Sequence, residues 1–596
     1  MKRNVLLAVA CVACLWASGA ARAEPVSSDA RGAAVPRVLS AEDVRRYREI
    51  FADEAEGRFA DGRALIAGLS DRSLMGYVEA EHYLSPYGKR VALADLAAWL
   101  DAYAELPIAE RIRALAESRN HRRHHKVELA GIPAIPHRSL GGGYEISDSI
   151  ADPPLASDAA RTAQVQIGAE VKLGQPATAE TILQQLVSSN GAPSSDVARL
   201  TEHVAASYLA EGQDDQALRL AGSIAGADRQ AAPMLDWDTG LAAYRLRKFA
   251  DAAPAFEQLA QNGAVPGWTR SSGAFWAARA RLAAGDPISV VSLLTAAARE
   301  QPTFYGLLAA RMLGQETPAR FSDPVLDSTS FATLMRIPAA RRAVALWQVG
   351  RTESVQPEMA RAFSQIDLND SDSFAALSNR LDLPDLELRA SEAQAARGVL
   401  LSGLFPVPGY TPPGGYHVDP CLVLAFARVE SMFQARAVST AGARGVMQLM
   451  PGTAAHVDGA MPGRASLNDP GFNLGLGERY LQELLGQTNG NLFQLAAAYN
   501  AGPGALNRWL GSRPEMDSDP LLFIESVPAT QTRSYIKHVM TYYWLYSLRT
   551  KEEASSLDDT AEGKWPLYRP ATPAPAATPR ATPAGTALIS DASTPH

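Results

Sequence analysis

At 596 residues the chain is too long for one core, so several domains or a repeat array are expected. Hydrophobic residues at 47% and charged residues at 20% are ordinary for a folded soluble protein. The formal net charge of −8 argues against a general polyanion binder, so nucleic acid is not an expected partner.

The first residues read as an export signal. Lys2 and Arg3 precede an apolar run from Val5 to Trp16, and Ala21-Arg22-Ala23 offers small residues for cleavage before Glu24. The run is short for a membrane anchor, and nothing after it approaches a span. Cys11 and Cys14 lie inside the run, and Ala8-Val9-Ala10-Cys11 lacks the usual leucine of a lipoprotein box. With residues 1–23 removed, only Cys421 remains, so no intramolecular disulfide is expected.

Residues 24–37 are Ala/Ser/Pro-mixed and read as a flexible N-terminus. From residue 38 to 403 the pattern is helical. Ser40 before Ala-Glu-Asp suits an N-cap with an acidic first turn. Leu93, Leu96, Trp99 and Leu100 recur at helical spacing. The basic run from Asn120 to Lys126 and the Gly141-Gly142-Gly143 triplet interrupt this rhythm. His121, His124 and His125 have no Cys or carboxylate set at ligand spacing, so the run reads as a solvated insertion.

From Asp158 to Gly314 the sequence reads as stacked helix pairs. Trp237, Gly240, Leu241, Tyr244, Ala253, Phe256 and Ala260 lie close to a tetratricopeptide-type pattern in imperfect register. Such pairs bury a continuous core and build a curved surface. Residues 404–418 are rich in Pro, Gly and Tyr and mark an internal boundary. A compact helical domain is expected over 419–550. The remainder, 551–596, turns charged and then Pro/Ala/Thr-rich, and reads as a disordered tail.

The chemistry concentrates in 419–550. Asp419-Pro420 is a good helix start. Leu422, Phe426 and Val429 then share a face, and Glu430 ends the helix. A carboxyl among apolar neighbours has a raised pKa, stays protonated and can donate to a leaving oxygen. A bare helix-terminal glutamate is usually only exposed, so its neighbours matter. Gly442 and Gly445 permit close backbone approach, Gln448 offers an amide, and Met447, Met450 and Pro451 form an apolar wall. Farther on, Tyr499-Asn500 ends a small-residue helix, and Ile524-Glu525-Ser526 leads into a helix carrying Tyr535. No phosphate-cradling loop or zinc-spaced Cys/His set follows the signal, and no His is placed to activate Ser431. No metal and no organic cofactor is expected.

Taken together, Glu430-Ser431, Gly445-Val446-Met447-Gln448, Ala498-Tyr499-Asn500 and Ile524-Glu525-Ser526 to Tyr535 resemble the catalytic domain of the soluble lytic murein transglycosylases. That family pairs a lysozyme-like α domain, related to goose-type lysozymes, with a ring-like superhelical region. Leu96-Ala-Ala-Trp99 and Phe304-Tyr305-Gly306 are similar to the latter. The resemblance implies a mainly α protein with a superhelical N-terminal region and a compact lysozyme-like catalytic domain.

It also implies a carbon–oxygen lyase that cleaves the β-1,4 bond between N-acetylmuramic acid and N-acetylglucosamine in peptidoglycan. Glu430 matches the family's single acid and base. Ser439, Gln448, Met450, Tyr499, Asn500, Glu525 and Tyr535 match positions lining the substrate groove, with Ser439 polarising the acetamido group. The implied partners are peptidoglycan strands and, further, cell-wall synthesis or envelope-machinery proteins; the implied location is the periplasm. Two departures stand out: Val446 replaces the usual leucine, and Ala529-Thr530-Gln531 lacks an aromatic and a carboxylate common there.

Two other readings stay open. A lysozyme-type hydrolase would need a second acid across the cleft, for which Glu525 and Asp469 are the candidates. A non-catalytic glycan-binding scaffold is the third.

Overall fold

The computed structural model describes residues 35–570, except 88–90, 121–126, 135–152, 316–320, 396, 398, 514–515 and 517. The expected export signal, the rest of the N-terminal stretch to residue 34, the histidines of the basic run, the glycine triplet and residues 571–596 lie outside the described residues. Among the described residues the regular structure is helical, with isolated β-bridges and no sheet. The mainly α expectation holds.

Local signals set the helices. Ser40 accepts from the Asp43 amide and starts Ala41–Glu56, which Gly57 stops at φ +78°. Thr303 caps Phe304–Met312 in the same way. The repeat-like pattern has a steric basis. A Cβ on Gly240 would sit 2.6 Å from the Phe256 ring, and one on Gly273 2.8 Å from the Phe256 carbonyl. Small residues therefore mark where helices cross. Trp237, Tyr244, Phe256 and Trp276 fill the space between them, with ring centroids 5.1–6.3 Å apart.

The helical region 38–403 is continuous in sequence but contributes to two cores. Helices between 41 and 120 pack with those between 328 and 395. Across that seam Gln348 Oε1 accepts from the Val38 and Leu39 amides, both at 3.0 Å. The Tyr77 hydroxyl and the Arg342 guanidinium both reach the buried Glu358. The helices between 158 and 312 instead share one core with the C-terminal domain. Arg279 pairs with Asp519 and Arg311 with Asp558 across this second seam.

The expected linker at 404–418 is anchored at its start. Phe405 is fully buried under the Arg428 guanidinium, and Tyr546 donates to the Pro406 carbonyl at 3.0 Å. One boundary expectation changes: the disordered tail expected from 551 does not begin there. Ser555–Ala561 is a helix, Leu557 is buried, the Leu492 amide donates to the Pro566 carbonyl, and the Tyr568 hydroxyl accepts from the Asp419 amide. A few apolar anchors, Leu557, Trp565 and Tyr568, fasten a stretch whose charged composition concealed them.

Candidate active site

Glu430 sits in the last turn of Pro420–Ser431. Asp419 caps the start through the Cys421 amide at 2.8 Å, and its other oxygen accepts from the Tyr543 hydroxyl at 2.7 Å. Residues 421–428 are all buried, so the helix is fixed in the core along its length. It stops abruptly. Met432 and Phe433 adopt φ +51° and +64°, a left-handed pair that costs non-glycine residues about 1–3 kcal/mol each. The Ser431 hydroxyl donates to the Val446 carbonyl at 2.8 Å and ties the stop to the facing loop.

That loop is a small hairpin. Arg444 and Leu449 exchange amide–carbonyl bonds at 3.0 and 3.1 Å, and the Ser439 hydroxyl accepts from the Ala443 amide at 2.9 Å. Gly445 turns at φ +78°, where a Cβ would collide with the Asn473 side chain and the Leu467 carbonyl. Gln448 is also left-handed, at φ +45°, and its amide nitrogen donates to the Gly445 and Ala437 carbonyls. The Gln448 amide thus holds the turn together. Met450 is 43% exposed, just before the Pro451–Asp458 helix.

Two helices bring aromatic hydroxyls to the acid. Tyr535, on Thr530–Thr550, donates to Glu430 Oε1 at 2.5 Å. Tyr499, near the end of Leu492–Ala501, donates to the Met447 carbonyl at 2.8 Å. Phe426 lies beneath both rings, at 4.8 Å from Tyr499 and 6.1 Å from Tyr535. Burial raises the Glu430 pKa to about 7, while the Tyr535 hydroxyl pulls the other way by favouring the carboxylate. Both tyrosine hydroxyls are held well above their usual range, first by burial and then by the Glu430 charge. Near neutrality a large share of Glu430 carries a proton in a half-buried, apolar setting. That is the state a general acid needs.

The structure groups Glu430, Tyr535 and Tyr499, with the Gln448 turn attached through Met447. Two other expected groove residues are engaged in hydrogen bonds within the protein. Asn500 accepts from the Thr532 hydroxyl at 2.8 Å and staples the two tyrosine-bearing helices. Glu525 is 3% exposed and bonds to Tyr305 at 2.6 Å and Lys537 at 3.2 Å, facing the helical array. Asp469 is exposed and caps Pro470–Gln487. Among the described residues, no second carboxylate contributes to the Glu430 shift.

Sequence reading missed Asn473. It is fully buried, takes the Met447 amide at 2.8 Å and gives its own amide to the Arg444 and Leu467 carbonyls. Its one visible signal was a polar residue on the mostly apolar, buried face of the Pro470–Gln487 helix. Gly477 was missed too; a Cβ there would sit 2.5 Å from the Met447 side chain. Among the described residues one group of potential metal ligands converges: Asp419, Cys421 and Glu552. Asp419 is committed to its cap and to Tyr543, and burial pushes the Cys421 thiol well up, which disfavours a thiolate ligand.

Residues 413–521 match the family model described as the transglycosylase SLT domain. The chain is 31% identical over 268 residues to the soluble lytic murein transglycosylase of Escherichia coli K12, covering 42% of this chain and 40% of that one. It is 30% identical over 300 residues to that of Salmonella typhimurium, covering 47% and 45%. The matches thus span less than half the length of these curated relatives. The crystal structure of the 70 kDa soluble lytic transglycosylase from Escherichia coli aligns over 89% of this chain and 99% of that one, with a TM-score of 0.52 and 19% identity. The chain therefore carries an SLT transglycosylase domain homologous to those of soluble lytic murein transglycosylases, in an architecture of superhelical region plus lysozyme-like domain.

Proposed function

We propose that this protein is a lytic transglycosylase that cleaves the β-1,4 bond between N-acetylmuramic acid and N-acetylglucosamine in peptidoglycan. The observation that carries the reading is Glu430: one carboxyl, pKa raised to about 7, bonded to Tyr535, with no second acid acting on it among the described residues. Protonated Glu430 gives its proton to the glycosidic oxygen as the C1–O bond breaks. The resulting carboxylate then takes the proton of the muramic acid C6 hydroxyl while that oxygen bonds to C1. A 1,6-anhydro ring closes, Glu430 regains its proton, and no water enters. The substrate's acetamido group supports C1 between the steps, the role a second carboxylate would fill in a hydrolase.

The Tyr535 hydroxyl holds the Glu430 oxygen in place and stabilises the carboxylate between its two tasks. Gln448 and Tyr499 keep the loop wall fixed. Ser439 and Met450 belong to the same loop and would meet the glycan.

The natural site of action for this reading is the periplasm. No described helix is long and apolar enough to cross a membrane. Envelope-machinery proteins are further partners under this reading. The test is product analysis of digested sacculi by mass spectrometry. Anhydromuropeptides are the expected product; reducing-end muropeptides would replace this reading with a hydrolase, and no release with a binding scaffold.

A further inference from the structure

A tyrosine–carboxylate bond joins Pro420–Ser431 to Thr530–Thr550 at each end. Tyr535 donates to Glu430 Oε1 at 2.5 Å, and Tyr543 donates to Asp419 Oδ2 at 2.7 Å. The later tyrosine meets the earlier acid, so the two helices run antiparallel. Asp419, Tyr535 and Tyr543 are 7%, 7% and 9% exposed, so water offers little competition for either bond. Between the bonds lie Leu422, Phe426, Val539 and Met540, all buried. Apolar burial is non-directional and supplies area. Hydrogen bonds supply direction: a slide of one residue is about 1.5 Å with a turn of about 100°, more than a hydrogen bond survives.

We propose that Asp419 and Tyr543 are positioning residues for Glu430, a role that rests on Glu430 being the acid of the proposed cleavage: their bond fixes the register of the two helices and so keeps the Tyr535 hydroxyl on the Glu430 oxygen. The pair acts from about three helical turns away and touches no reacting atom.

Asp419 is braced on three sides. Its Oδ1 accepts from the Cys421 amide at 2.8 Å, its Oδ2 from Tyr543, and its own amide donates to the Tyr568 hydroxyl at 3.0 Å. The Tyr568 amide in turn donates to the Gly490 carbonyl at 2.7 Å, and the Pro566 carbonyl accepts from the Leu492 amide at 2.9 Å. One C-terminal strap therefore holds the starts of both Pro420–Ser431 and Leu492–Ala501, whose far ends bring Glu430 and Tyr499 to the site. Cys421, Glu552 and Tyr568 are the other titratable groups at this end. Burial, then the Asp419 charge, holds the Tyr543 hydroxyl far above its usual range, so it stays a donor. Tyr546, one turn on, bonds instead to the Pro406 carbonyl at 3.0 Å and supplies a control on the same helix.

The test is carbon-13 NMR titration of the full chain labelled at glutamate Cδ, with the Glu430 resonance identified by its loss in Glu430→Gln. Tyr543→Phe should raise the Glu430 midpoint by about half a pH unit or more, in the direction expected of Tyr535→Phe. The double variant should lie no higher than Tyr535→Phe alone, because both changes remove the same bond to Glu430. Muropeptide release should fall about tenfold in kcat. Asp419→Ser keeps a capping hydroxyl but is too short to reach Tyr543, so it should repeat the midpoint rise and serves if Tyr543→Phe does not fold. Tyr546→Phe removes a comparable buried bond and should leave the midpoint where it is. An unmoved midpoint in a folded Tyr543→Phe or Asp419→Ser variant would overturn the proposal. So would an equal rise in Tyr546→Phe, or fully additive rises in the double variant. The midpoints need no turnover, so they support the pair even if the parent released no anhydromuropeptides, a result that would sink the reading of the reaction alone.

Discussion

Tyr305 and Glu525, 220 residues apart in sequence, meet in a buried hydrogen bond of 2.6 Å. Lys537 closes the cluster from the helix that carries Tyr535. This cluster joins the helical array to the domain of the acid, and it makes Glu525 a framework residue. Glu525→Ala would strand a buried ammonium and a buried hydroxyl, at a cost of about 3–5 kcal/mol. Tyr305→Phe should cost about 1–3 kcal/mol by leaving one carboxylate bond unmade. Chemical denaturation measures both. If Glu525→Ala kept full stability and lost only glycan affinity, the groove role would be restored.

Glu430→Gln should abolish glycan cleavage while the protein still binds sacculi. Muropeptide release and a pelleting assay check the two halves separately. The same variant makes a stability prediction with a definite sign. The folded pKa of Glu430 is raised from 4.5 to about 7. Its favourable contribution is therefore complete below about 4.5 and is lost as pH rises through about 7. Glutamine has no proton to lose, so Glu430→Gln should gain stability relative to the parent as pH rises across that window. Denaturant midpoints at acidic and mildly alkaline pH decide it.

Activity should fall as pH rises through about 7, because cleavage begins with a proton that Glu430 then no longer holds. Tyr535→Phe removes the bond that favours the carboxylate, so Glu430 should become a weaker acid and this falling limb should move to higher pH. Its rate should drop by about ten- to a hundredfold, less than the loss in Glu430→Gln. A pH–rate profile of the Phe variant with an unmoved limb would detach Tyr535 from the acid.

Gly445→Ala should destabilise the hairpin and cripple cleavage together. The new methyl would collide with Asn473 and the Leu467 carbonyl, at a backbone φ of +78° that L-residues rarely adopt. A loss of about 2–4 kcal/mol is expected from combined strain and overpacking. Gly442 shares the positive φ but has open space around it, so Gly442→Ala should be milder. Equal melting temperatures for the two variants would contradict this account of the turn.

Much of this protein was legible in the sequence because its signals are local. Caps at Ser40, Thr303 and Asp419, helical periodicity, and small residues at crossings such as Gly240 each act within a few residues or one helix pair. Glu430 stood out for the same reason: an apolar helix ends on a carboxyl and a Gly-marked loop follows. Local patterns could not say where a side chain finds a distant partner. Tyr535 reaches Glu430 across 105 positions, Tyr305 bonds to Glu525 across 220, and Asn473 clamps a turn that lies 26 residues before it. Nor could they show that helices 41–120 would pack on 328–395, or that Leu557 and Tyr568 would anchor a charged stretch. Residue type and spacing fixed which groups were capable of acid chemistry. Only burial and long-range hydrogen bonding, properties of the closed chain, decided which carboxyl keeps its proton near pH 7 and which is held as part of the frame.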